Sequence, residues 1–138
     1  MKLLDTSVLL DAFDPAAQHY EWATEQIALA VSTDGAAVNP VALAECSVRM
    51  DVEAVKQRLR SQGIQLVPLP ISASGLAARA FAAYLQRRKS DTPAPRTPLP
   101  DFFIGAHAEA EAWTVVTNDA ARFRTYFPKV KVIAPRAY

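Results

Sequence analysis

The chain alternates short, largely apolar runs with longer stretches in which apolar residues return every three or four positions. Leu3-Leu4, Ala36 to Val38, Ile64 to Val67, Trp113 to Thr117 and Val130 to Ile133 are too short for helices and read as five buried strands. Ser7 to Phe13 reads as the first helix, and Asp14-Pro15 opens a second that runs to about Val31. In the second, Tyr20, Ala23, Ile27 and Ala30 form a core face, while Trp22 and Leu29 make another apolar stripe that suits either core or a surface for a partner or a second copy. Asn39-Pro40 places a cap before a proline at the first helical position and starts a helix through Val48. Val52, Val55 and Leu59 mark a helix ending at Gln62-Gly63; Ser72 caps a long one that carries Leu76, Ala80, Phe81, Tyr84 and Leu85 and ends in Arg87-Arg88-Lys89. Further helices start at Asp101 and at Asn118-Asp119. Strand followed by helix throughout predicts an α/β fold, a parallel sheet covered by helices on both faces.

In such a sheet the turns that follow strands face the crevice where ligands bind. Asp5-Thr6 lies on the first of these turns and Asp119 directly after the fourth strand, although both positions also suit helix capping. Glu45 is the only charge in its apolar stretch and lies more than a turn inside its helix, so capping does not explain it. A solvent-facing position, an ion pair with Arg49 at i+4, and a place in a site are the three readings of it. Asp101 shares a helix face with Gly105 and Ala108, small residues that leave room for something to approach. His107 lies about 240° round that helix from Asp101 and reads as a packed or exposed histidine on the far face. Where the first and fourth strands are neighbours at a reversal of strand order, Asp5, Glu45 and Asp119 converge, and Asp101 joins them from its helix start.

Composition narrows the class. At 138 residues the chain has the length of one domain, and no apolar run approaches the ~20 residues of a membrane span. Asp5 and Asp11 interrupt what would be the apolar region of a signal peptide. The single Cys46 permits no internal disulfide, reads as packing, and fits a reducing cytoplasm. Fifteen basic residues against fourteen acids argue against a strongly basic nucleic-acid binder, but with four acids gathered round a cation the rest of the surface keeps a positive excess. Residues 90–100 hold prolines 93, 95, 98 and 100 and read as a stiff, extended loop of the kind that is more often functional than idle.

The set Leu4-Asp5-Thr6-Ser7, Ala44-Glu45, Leu99-Pro100-Asp101-Phe102-Phe103-Ile104-Gly105-Ala106 and Thr117-Asn118-Asp119 with Phe123 resembles a PIN domain, in particular the VapC toxins of toxin–antitoxin pairs. Each motif alone is weak; four in this order over nearly the whole chain are specific. The resemblance implies a five-stranded parallel sheet flanked by helices and metal-dependent cleavage of RNA, with Asp5, Glu45, Asp101 and Asp119 as the acidic residues and Thr117 as the hydroxyl residue beside them. It also implies a cognate antitoxin, a homodimer, and a cytoplasmic protein with no membrane partner. The proline-rich approach to Asp101 is the departure from the pattern, and it bears on substrate preference.

Charge arithmetic gives that chemistry a reason. Two carboxylates ~4 Å apart repel by about 4 kcal/mol at an effective dielectric of 20, so converging acids call for a cation or for protons. All-oxygen donors favour Mg²⁺, with Mn²⁺ as substitute, over Zn²⁺. Asp5 and Asp101 are the best direct ligands, with Glu45 and Asp119 acting directly or through water; helix N-termini, Arg87, Arg88 and Arg96 are candidates for phosphate contacts. A haloacid-dehalogenase phosphatase would need a second Asp where Ser7 stands, and no lysine arrangement suits a response-regulator receiver. A PIN nuclease of RNA processing that is not a toxin, and an acid-lined module that binds without cutting, are the alternatives.

Overall fold

A computed structural model describes residues 1–90 and 99–136, and in it the strands form one parallel sheet. They are β1 (Lys2–Leu4), β2 (Ala36–Val38), β3 (Gln65–Leu66), β4 (Thr114–Val116) and β5 (Val132–Ile133), in the order β3-β2-β1-β4-β5. β1 is central because Leu3 and Leu4 are fully buried and can be covered from both sides. The register pairs Leu3 with Ala37 on one side and with Val115 on the other. The chain builds outward from β1 through β2 to β3, then returns to β1's other edge with β4, so strand order reverses between β1 and β4.

The helices among the described residues are α1 (Thr6–Phe13), α2 (Tyr20–Ser32), α3 (Pro40–Cys46), α4 (Val52–Ser61), α5 (Ala73–Ser90), α6 (Leu99–Glu111) and α7 (Ala120–Tyr126), and they cover the sheet on both faces. Asn39 caps α3 as its sequence announces, its side-chain oxygen accepting from the Val41 and Ala42 amides at 3.0 and 3.1 Å. Most boundaries shift from the sequence reading by three residues or fewer, and the largest difference is at the second helix. Asp14-Pro15 opens a turn, with Asp14 accepting from the Ala16 amide at 2.9 Å, and α2 starts only at Tyr20. The Asp side chain satisfies the local amide and so competes with a helical start at that point. The apolar stripe of α2 splits: Trp22 packs against the core, while Leu29 is half exposed.

An aromatic cluster fixes α6. Phe102 is fully buried, with ring centroids 5.1 Å from Tyr126, 5.8 Å from Tyr84, 6.1 Å from Phe81 and 6.2 Å from Phe127, all edge-on. Such pairs each contribute about 0.5–1.5 kcal/mol beyond burial. They bind α5, α6 and α7 into one body. The small residue Gly105 serves the same packing: a Cβ there would meet the Phe127 ring at 2.4 Å. The room beside Asp101 read from the sequence is thus filled by a core ring. His107 is buried as well, with Nδ1 3.2 Å from the Asn39 amide nitrogen and its ring beside Trp113; burial lowers its pKa, which makes it a neutral core residue.

Candidate active site

The site is assembled at the reversal between β1 and β4. The Asp5 amide donates to the Val116 carbonyl at 3.0 Å, so the chain is held to β4 until the residue where α1 begins. Asp5 has an extended backbone in the N-cap position of α1, yet its carboxylate makes no capping hydrogen bond. Asp119 occupies the same position before α7 and its carboxylate caps nothing either. Capping therefore does not account for either acid, whereas Asn39 and Asp51 show what a side-chain cap looks like in this chain.

Hydroxyl groups hold Asp5 in place. Its Oδ2 accepts from Ser7 Oγ at 2.7 Å and from Thr117 Oγ1 at 2.8 Å. Thr117 is fully buried and also accepts from the Asp119 amide at 3.0 Å, which fixes the turn after β4. Ser7 in turn accepts from the Asn118 amide at 3.2 Å, and Asn118 donates its side-chain amide to Asp11 at 2.7 Å. These bonds lock α1 to the turn after β4. The other carboxylate oxygen, Asp5 Oδ1, is buried and has no hydrogen-bond partner. Burial is the main reason that the Asp5 pKa is pushed up to about 6; the Ser7 hydroxyl opposes it, the charge of Asp101 adds to it, and the Thr117 hydroxyl and Thr6 amide oppose it more weakly. At neutral pH Asp5 is an ionised, nearly solvent-free carboxylate with one oxygen unanswered.

The other acids reach the same region by different routes. Glu45, partly buried on α3, accepts from the Thr6 hydroxyl at 2.6 Å, so it faces the start of α1 and not Arg49. Its charge and that of Asp5, after burial, push the neighbouring Cys46 thiol up to about 12, leaving it an inert packing residue. Asp101 lies in the first turn of α6, near enough for its charge to act on Asp5, and its Oδ2 is ion-paired with Arg122 Nη1 on α7. Asp119 is exposed, with its main chain tied to Thr117. Among the described residues no three acids, histidines or cysteines stand close enough to one another to enclose an ion. Asp101 lies within electrostatic reach of Asp5 and is engaged by an arginine, Glu45 is tied to the neighbouring Thr6, and Asp119 is joined to Thr117 through its main chain.

The donor set nonetheless fits a hard divalent cation. Every available atom is a carboxylate or hydroxyl oxygen, and the orphaned Asp5 Oδ1 is a buried anionic acceptor that only a cation or a proton donor would satisfy. Arg87 and Arg88 lie exposed near the end of α5, and Arg96 falls outside the described residues. Sequence reasoning missed two participants. Ser7 carries a readable signal, since its position two residues beyond Asp5 lets a short hydroxyl fold back onto the carboxylate. Arg122 carries none, because its partner is 21 positions away on another helix.

A family model described as PIN domain matches residues 2–128. No curated protein matches the sequence. Among solved structures, FitAcB from Neisseria gonorrhoeae superposes with a TM-score of 0.67 at 18% identity, over 96% of each chain. VapBC2 from Rickettsia felis, bound to a DNA fragment from its promoter, gives 0.69 at 16% identity over 96% of this chain and 97% of that one. A toxin–antitoxin complex from Klebsiella pneumoniae gives 0.60 at 20% identity over the whole of both chains. At these identities the likeness is one of fold.

Proposed function

Because the chain belongs to the PIN domain family, a family of nucleases, we propose that it is a Mg²⁺-dependent endoribonuclease, with Mn²⁺ as substitute, and the toxin of a toxin–antitoxin pair. The observation that carries the reading is the buried, half-satisfied Asp5 carboxylate at the strand reversal, with Glu45 and Asp101 beside it. A divalent cation held there supplies Lewis acidity to a phosphodiester and a lowered pKa to an attacking water. Asp5 and Asp101 are the proposed direct ligands, and Glu45 and Asp119 act directly or through water.

The protein's own part is orientation. Ser7 and Thr117 fix Asp5 so that Oδ2 is satisfied and Oδ1 is left for the ligand; Thr6 fixes Glu45. Thr117 joins the strand end to the main chain of Asp119, which sets the entry to α7. Arg87, Arg88 and Arg96 are proposed phosphate contacts along the RNA. The antitoxin partner rests on the complexes that share the fold, and homodimer formation and a cytoplasmic location complete the reading. No described helix is long and apolar enough to cross a membrane.

The test is cleavage of a mixed RNA pool with Mg²⁺, with Mn²⁺ and with chelator, using wild type and folded Asp5→Asn and Asp101→Asn variants. Metal-dependent internal cuts lost in both variants are expected. Wild-type cleavage by either folded variant would show the site to be misassigned, and no cleavage under any condition would favour a binding module.

A further inference from the structure

Arg122 is a cation placed directly on a proposed ligand. It stands in the first turn of α7, beside the turn that carries Thr117 and Asp119, and its guanidinium pairs with Asp101 Oδ2 across to α6. Both side chains are only partly open to solvent, at 34% and 25%, so the pair is neither a screened surface contact nor a sealed core bridge. α7 itself is anchored by the buried Phe123 and by the rings of Tyr126 and Phe127 against Phe102. The guanidinium is therefore delivered to the rim of the site by a rigid element.

The consequences follow from chemistry. A carboxylate oxygen engaged by a guanidinium is a poor ligand for a divalent ion, and the two cations repel each other. Asp5, one step away, has an oxygen with no partner, so the positive charge available locally lies on Asp101 and leaves Asp5 unanswered. A planar guanidinium that loses its carboxylate at the edge of such a site still has a fork of N–H donors suited to phosphate oxygens.

We propose that Arg122 is a phosphate-contact residue held in reserve by Asp101: Asp101 exchanges Arg122 for the divalent cation, and the released guanidinium takes a non-bridging oxygen of the RNA backbone. This rests on the metal-dependent nuclease reading and adds a residue to it. It gives Arg122 two effects of opposite sign, weakening metal binding in the absence of RNA and strengthening RNA binding once metal is present.

The test is to measure Mn²⁺ affinity without RNA, by electron paramagnetic resonance of free Mn²⁺, and KM for an RNA substrate at saturating Mn²⁺. The proteins are wild type, Arg122→Gln, Arg122→Lys and, as a charge control, Arg124→Gln, an exposed arginine on the same helix. Arg122→Gln is expected to lower the Mn²⁺ Kd by about two- to fivefold, the range for a partly exposed ion pair. Its KM is expected to rise roughly tenfold through loss of a charge-assisted bond. Arg122→Lys should fall between, guarding against a folding defect in the glutamine variant, and Arg124→Gln should match wild type. Unchanged or weaker Mn²⁺ binding in both Arg122 variants, or an unchanged KM, overturns the role of Arg122 while the nuclease reading stands. No Mn²⁺ binding by any of the proteins overturns both.

Discussion

Thr117 and Asp5, 112 positions apart, are joined by a hydroxyl-to-carboxylate hydrogen bond of 2.8 Å across the ends of the adjacent strands β4 and β1. The bond does two things at once. It closes the strand reversal, and it engages Oδ2 of Asp5 while Oδ1 stays buried without a partner.

Thr117→Val keeps the shape of the side chain and deletes its hydroxyl. The variant leaves the buried Asp5 carboxylate and the part-buried Asp119 amide each short of a partner, at a cost of about 1–3 kcal/mol. Urea unfolding in chelator measures the loss. RNA cleavage should fall as well, because the carboxylate is no longer fixed; a variant with wild-type stability and rate would show the bond to be idle.

The pH dependence of stability has a definite sign. Well below pH 3.8 Asp5 is protonated in both folded and unfolded chains. As pH rises the unfolded chain releases the proton at the ordinary value of 3.8, while the folded chain holds it to about 6. Stability in chelator therefore falls across that window, by up to about 3 kcal/mol for a shift of roughly two units in so buried a group. Asp5→Asn should lose this fall, and saturating Mn²⁺ should diminish it in wild type. Urea midpoints from pH 4 to 7 decide the matter, and identical profiles for the two proteins would refute the assignment.

Gly105→Ala tests the packing that aims Asp101. The added methyl meets the ring of Phe127 at 2.4 Å, and a ring held among Phe102 and its neighbours has little freedom to withdraw. A loss of about 1–3 kcal/mol is expected from such overpacking. Thermal melting reads it, and an unchanged Tm would mean that α6 and α7 can slide apart.

Expression of the protein alone is expected to slow growth, with relief by a small antitoxin protein expressed alongside it and no effect from Asp5→Asn. Colony counts and optical density after induction measure this. Normal growth at high soluble expression of active enzyme would point to a PIN nuclease that is not a toxin.

The alternation of strands and helices, and with it the parallel sheet, was legible because its signals are local. Short apolar runs and a proline after Asn39 act over distances of a few residues. Glu45 was legible as an anomaly, a lone charge in an apolar stretch, though not its bond to Thr6.

The tertiary structure decided the rest, for reasons of distance along the chain. That Asp14 makes a turn and not a helix start depends on which of two local hydrogen-bonding patterns the surroundings favour. That Gly105 makes room for Phe127, and no ligand, depends on a contact between separate helices. The pairing of Asp101 with Arg122, and the stranding of Asp5 Oδ1, arise only once α6, α7 and the strand ends are packed together. Residue type and spacing determine which groups are available to a site; burial and packing determine which of their atoms are left without a partner.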